Sequence, residues 1–417
     1  MKLTTKIEFK DIVGALLLAL TGFLTFSVLI KSLVGFNPYP IFLILFFVSA
    51  LLFSLSKLYS SVVFPYRLRS FPLFILIFYV FTHLTAWVSG FIQNGPIAAT
   101  LGLIEYSVYS FIVLLLMTVR FQTKTLQKII IFNCNFALIV GGLGLYQFLF
   151  DPLLFGIYLN TDYEYFDSWG VKRVNSIMGS IQVYSAYMLF SILAIVNFRP
   201  FGAFTNFIYM VLILALGSLG GSQLFFVFGP FLIFFYLYRM IGNYFYIFFA
   251  FLLFSAIFLF STLPIDFTEF STFKRFSDLM SGGGELLVKL NESRLSIWLQ
   301  TVQDSNFFSG NGFGSASILV SGSERYNTES FIFSAYYAGG FQLAIFYSVF
   351  FLILPFYVSK DRGWLLASIN SVVYFSYALT VHVFFGILLI LPWIILLKCC
   401  SISVQDTEMS RSLKSFS

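Results

Sequence analysis

The sequence predicts an all-α, polytopic membrane protein with about twelve transmembrane helices. Of its 417 residues, 59% are hydrophobic and only 10% are charged, where a soluble domain carries roughly 25% charged residues. No water-soluble core can hide that much apolar surface, and 58 phenylalanines are readily carried on helix faces covered by lipid. The apolar residues also fall into runs of the length needed to cross ~30 Å of hydrocarbon, which takes roughly 20 residues. Finally, Lys and Arg gather in alternate short loops, the pattern that fixes a multi-pass topology.

The elements follow in chain order. Lys2, Lys6 and Lys10 precede the first expected span, Ile12 to Val34. It is too long for the apolar core of a secretory signal and no small-residue cleavage site follows, so it is expected to be retained. Further spans are expected at Ile41 to Ser56, Pro72 to Ile92, Ile97 to Val119, Ile129 to Phe150, Ile177 to Phe198, Phe204 to Gly220, Leu224 to Met240, Tyr244 to Leu263 and Phe331 to Val358. From Trp364 to Leu397 the apolar run accommodates two short helices with a reversal near His382. Residues 1–417 then form a single transmembrane domain with two long loops, 151–176 and 264–330, and no internal repeat.

With both termini cytoplasmic, the inward side receives 16 basic and five acidic residues, the outward side eight basic and twelve acidic, and Glu105 lies within a span. Positive loops stay inside, so both long loops are expected outside. The basic pI of about 9.0 thus reports topology and implies no nucleic-acid partner. Cys134, Cys399 and Cys400 offer neither a disulfide framework nor metal-ligand spacing.

The motifs of common hydrolases and nucleotide enzymes are missing. The chain has no HExxH, no GxSxG and no Walker loop, and its two histidines, His83 and His382, lie within or beside spans. A zinc site or a Ser-His triad is not expected. The densest polar signal is Asn291-Glu292-Ser293-Arg294-Leu295-Ser296-Ile297-Trp298, followed by Phe307-Phe308-Ser309-Gly310-Asn311-Gly312-Phe313-Gly314. Its spacing reads as an amphipathic helix entering a glycine turn. Glu324-Arg325-Tyr326-Asn327-Thr328-Glu329-Ser330 comes next, directly before a span containing Gly339-Gly340. In the first loop Lys172-Arg173-Val174-Asn175-Ser176 precedes Gly179 and Gln182.

These pieces, in this order, resemble the O-antigen polymerase and ligase superfamily of bacterial membrane glycosyltransferases, over roughly residues 144–342. Gly144-Leu145-Tyr146-Gln147 resembles the start of the family's first outer loop, and Arg173 through Gln182 its re-entry into the membrane. Arg294, Trp298, Gly310, Gly312 and Gly314 resemble its R-x-x-x-W and G-x-G elements. Where ligases carry a His-Asn pair this chain reads Tyr326-Asn327, and Ser222-Gln223 stands where many members have an arginine. The resemblance therefore implies the polymerase branch: polymerisation of polyprenyl-diphosphate-linked oligosaccharide repeat units (undecaprenyl diphosphate being the expected bacterial carrier) for O-antigen, capsule or exopolysaccharide. It also implies the bacterial cytoplasmic (inner) membrane, no cofactor, and a chain-length regulator and flippase as pathway partners.

The residue types suit that chemistry. A departing diphosphate needs fixed positive donors, and arginine pairs bidentately with phosphate oxygens at any relevant pH. Arg173, Arg294 and Arg325 are the candidate donors, with Lys172 in support. The acceptor hydroxyl needs a base, for which Glu329 is the first candidate and Glu292 the second. Trp169, Trp298 and Tyr326 could stack on sugar faces, and Asn327 and Gln182 could bond sugar hydroxyls. Each also has a structural reading: the arginines as interfacial anchors, Trp298 as a packing residue, Glu329 as an i, i+4 partner of Arg325, and the glycines as turn formers. Two functions compete with polymerisation. A ligase-type enzyme would transfer the glycan to a lipid or protein acceptor. A flippase or transporter would show binding groups and broken helices near the membrane midplane.

Overall fold

The computed structural model describes residues 70–118, 123–150, 173–178, 181–242, 295–315, 330–360 and 363–380, together with Ile41 and Leu45. Among them the chain is all-helical, with no strand. Five helices are long and apolar enough to cross a membrane. The expected spans at 12–34 and 244–263, nearly all of 41–56 and the second half of the final hairpin lie outside the described residues. The chain falls into two compact units, Met1–Gln122 with Ser293–Ser417, and Thr123–Glu292.

The described residues of the second unit include α3 (Thr123–Leu149), α4 (Ile181–Phe198), α5 (Ala203–Gly217) and α6 (Gln223–Ile241). Central to it is α4, which packs on the other three and buries fifteen of its 18 residues. It can be covered all round because it is apolar all round. Its few polar side chains are spent between helices: Asn133 donates to the Ser191 hydroxyl (3.2 Å), and the Tyr187 hydroxyl donates to Asn133 Oδ1 (3.1 Å). Lys128, Arg199 and Arg239 mark one end of this unit, at the start of α3, after α4 and near the end of α6. The expected spans match these helices except at residue 177, where the chain first makes a 3-10 turn (Ser176–Met178) and α4 begins at Ile181.

In the first unit α1 (Ser70–Asn94) and α2 (Pro96–Thr118) form a tight hairpin. Its single joint, Gly95, has φ +86°, and Pro96 occupies the first helical position, where its missing N–H costs nothing. A helix, α7, described over residues 295–303, precedes α8 (Phe331–Ser359) and α9 (Trp364–Thr380). α8 packs on both α1 and α9.

The sequence predicts one continuous span from Phe331, but α8 is two antiparallel arms. Gly340 has φ 67° and ψ −166°, far from helical values. The Phe331 ring stands 4.7 Å from the Tyr347 ring and 5.6 Å from that of Phe351. Along a straight helix Phe331 and Phe351 would lie roughly 30 Å apart. The chain therefore rises from Phe331 to Gly339, reverses at Gly340, and descends alongside itself to Ser359. The descending arm, residues 341–359, is about 28 Å long, enough to cross the hydrocarbon alone. Phe331 consequently starts the short arm deep in the unit, and Ser330, its N-cap, is fully buried against the Ala378 carbonyl.

Candidate functional site

A helix reversal in an apolar setting leaves backbone donors and acceptors without helical partners, which costs several kcal/mol each if unmet. Here the loop following α7 meets them. Phe341 N–H donates to the Phe307 carbonyl (2.8 Å), and Asn311 N–H donates to the Tyr337 carbonyl (2.7 Å). On the other side Phe313 N–H donates to the Ala86 carbonyl of α1 (3.1 Å), and Asn94 Nδ2 donates to the carbonyls of Asn311 (2.9 Å) and Phe313 (3.2 Å). Residues 307–315 thus form a strap tying the reversal of α8 to the α1–α2 hairpin.

The strap requires glycine. A Cβ at Gly310 would come within 2.5 Å of Gly340 N and 2.7 Å of Ala338 C, and one at Gly312 would overlap the Gly90 backbone. Both residues have positive φ, +60° and +75°. Between them and Gly314 the Phe313 side chain is driven fully into the unit, its ring 5.5 Å from that of Tyr106 and 5.9 Å from that of His83. His83 joins three helices there: its Nδ1 lies 2.8 Å from the Tyr79 carbonyl and its Nε2 3.0 Å from the Tyr347 hydroxyl, which donates to the Tyr106 carbonyl (2.6 Å).

α7 runs parallel to the short arm of α8. The Trp298 ring stacks flat on Phe333 at 4.7 Å and 11°. At the far end Asn311 Nδ2 donates to the Asp304 carbonyl while its N–H holds Tyr337. Trp298 of α7 therefore lies beside the first turn of α8, well below the strap, where the Ser330 hydroxyl caps the helix by accepting from Phe333 N–H (3.3 Å). A helix N-terminus carries partial positive charge, which favours an anion.

Of the sequence-derived candidates, the structure places Trp298, Arg173 and Gln182. Trp298 is half-buried and its face is occupied by Phe333. Arg173 is half-buried at the entry to a docked segment of the second unit: Val174 N–H donates to the Leu219 carbonyl (3.1 Å), Ser176 N–H to Gln147 Oε1 (2.8 Å), and Ser176 Oγ to the Val140 carbonyl (2.7 Å). Gln147 Nε2 completes this by donating to Asn175 Oδ1 (2.9 Å). The segment thus lies along the last turns of α3, between Val140 and Gln147. Gln182 is exposed on the first turn of α4. Arg294, Arg325, Tyr326, Asn327, Glu329, Lys172 and Trp169, with the second-choice base Glu292, lie outside the described residues. Arg294 is next in sequence before α7, and Glu329 next before Ser330. Glu105 is buried within α2.

Sequence reasoning missed Asn94, Phe313 and the small residues that admit the strap, Gly90 and Gly102. The available signal was weak: glycines inside otherwise apolar runs, and an amide at a helix end. Comparison with protein families, with curated proteins and with solved structures found no match.

Proposed function

We propose that the protein polymerises oligosaccharide repeat units carried on a polyprenyl diphosphate, working at the face of the membrane that bears its two long loops. The observation that carries this reading is the stacking of Trp298 of α7 on Phe333 in the first turn of α8, with Arg294 and the segment from Arg325 to Glu329 immediately preceding the described parts of these two helices in sequence. An arginine fork, with a helix N-terminus, suits a diphosphate leaving group. The acceptor hydroxyl oxygen attacks the anomeric carbon of the donor sugar, its proton passes to Glu329, and the carbon–oxygen bond to the diphosphate breaks. The carrier diphosphate leaves with its electron pair held by Arg294 and Arg325. Trp298 acts here chiefly by fixing α7 on Phe333. The expected setting is the bacterial cytoplasmic membrane, alongside the flippase and chain-length regulator of such a pathway.

The reversed α8 favours a second reading. A short helical arm starting within the membrane is an arrangement transporters use to hold anionic groups, so flipping of the same lipid-linked substrate is the alternative. Purified protein in proteoliposomes, given lipid-linked repeat units and excess chelator, separates the two. A ladder of long chains is expected, since the arginines neutralise the diphosphate without metal. Single units that only exchange between leaflets would replace polymerisation by transport. A ladder lost in chelator and restored by Mg²⁺ would assign a cation to Asp162, Glu164 and Asp167.

A further inference from the structure

The segment from α7 to the strap lies in what sequence alone reads as a water-exposed loop, yet it carries a stripe of exposed apolar side chains. From Leu295 to Gln303 it carries no charged residue. Its side facing α8 is closed by Trp298 and the fully buried Thr301. Leu295, Leu299 and Val302, spaced at i, i+4 and i+7, form one stripe, and they are 53, 55 and 42% exposed. The stripe does not stop at the end of the helix. Phe307 and Phe308 extend it, and Phe307 stacks at 5.0 Å and 18° on Phe341, itself exposed on the descending arm of α8. That arm is long enough to cross the hydrocarbon, and the stripe is continuous with its exposed apolar face.

Depth agrees. Trp298 stacks on Phe333, two residues along the short arm from Phe331, whose ring meets those of Tyr347 and Phe351. Tyr347 and Phe351 lie about 18 Å and 12 Å above Ser359 at 1.5 Å per residue. Trp298 of α7 therefore sits level with the middle of the descending arm, and the end of α7 lies near the strap.

The geometry points to α7 and the strap being a re-entrant element set into the outer leaflet, with Leu295, Leu299, Val302 and Phe308 against phospholipid acyl chains. This does not depend on the reaction the protein performs. Nitroxide spin labels at Leu299→Cys and Phe308→Cys test it in the full-length protein reconstituted in phospholipid vesicles, with Ser305→Cys as the reference at the end of α7. A lipid-facing site collides freely with oxygen while a water-soluble nickel complex is excluded. The expected result is nickel accessibility at 299 and 308 falling to about a tenth of that at 305, with oxygen accessibility high. Nickel access at 299 equal to that at 305 would make α7 a water-exposed loop helix. Low access to both reagents at 299 and 308 would mean protein, not lipid, covers the stripe; either result overturns the proposal. Both positions are exposed side chains, so the second label keeps the test intact if the first variant does not fold.

Discussion

Arg294 and Phe313 sit nineteen residues apart in one motif and differ in how they can be recognised. An arginine in a chain with 10% charged residues stands out by its chemistry. If Arg294 holds a phosphate in the transition state, its fork geometry matters as well as its charge. Arg294→Ala should stop polymerisation with protein level near normal, and Arg294→Lys should be badly impaired, because an ammonium cannot bond bidentately. Losing such contacts costs roughly 2 to 4 kcal/mol, about 30- to 1,000-fold in rate. The assay is chain length on a gel, where single lipid-linked units accumulate. Wild-type rates in both variants would reduce Arg294 to an anchor. Phe313 gave no such signal, being one of 58 phenylalanines. Only the contacts of its neighbours, Gly312 on Gly90 and Gly314 on Ala98, reveal that the strap drives it inward.

Most helices were legible as elements because membrane spans are written in length and hydropathy, which survive any tertiary detail. α8 was legible as apolar but not as reversed. An uninterrupted run from Phe331 to Val358 suits a straight helix, and Gly339-Gly340 is compatible with one. The reversal becomes affordable only because residues 307–313, distant in sequence, supply the hydrogen bonds its backbone loses. That dependence makes the reversal fragile in a definable way. At Gly340 both the +67° φ and the Phe308 carbonyl exclude a Cβ, and at Gly310 the Gly340 backbone does. Gly310→Ala and Gly340→Ala should each cost roughly 1 to 3 kcal/mol. Gly142→Ala, on α3 with nothing within 4 Å of its would-be Cβ, should cost nothing. Thermal unfolding of the detergent-solubilised variants reads this directly. A Gly340→Ala protein as stable as Gly142→Ala would mean that α8 does not reverse there.

At the scale of the whole chain, the charge distribution and the re-entrant strap make a joint statement about which parts of the protein meet water. Lys128, Arg199 and Arg239 share one end of the second unit, and Lys360 follows the descending arm of α8. Basic ends are expected to stay cytoplasmic; taken unit by unit, that predicts an outward end at Leu149 in the second unit and at the strap in the first. Lys124, on the basic first turn of α3, should then face the cytoplasm, and Ser305, just past the end of α7, should face outside. A maleimide that cannot cross membranes should modify Ser305→Cys and spare Lys124→Cys in intact cells, with both modified once the cells are opened. Because maleimide reacts with the hydrated thiolate, the same reagent should label Leu299→Cys far less than Ser305→Cys, although the two are six residues apart. The opposite sidedness, with Lys124→Cys labelled and Ser305→Cys spared, would invert the protein and remove the site from the outer face. Equal labelling of 299 and 305 would leave the topology intact and return α7 to water.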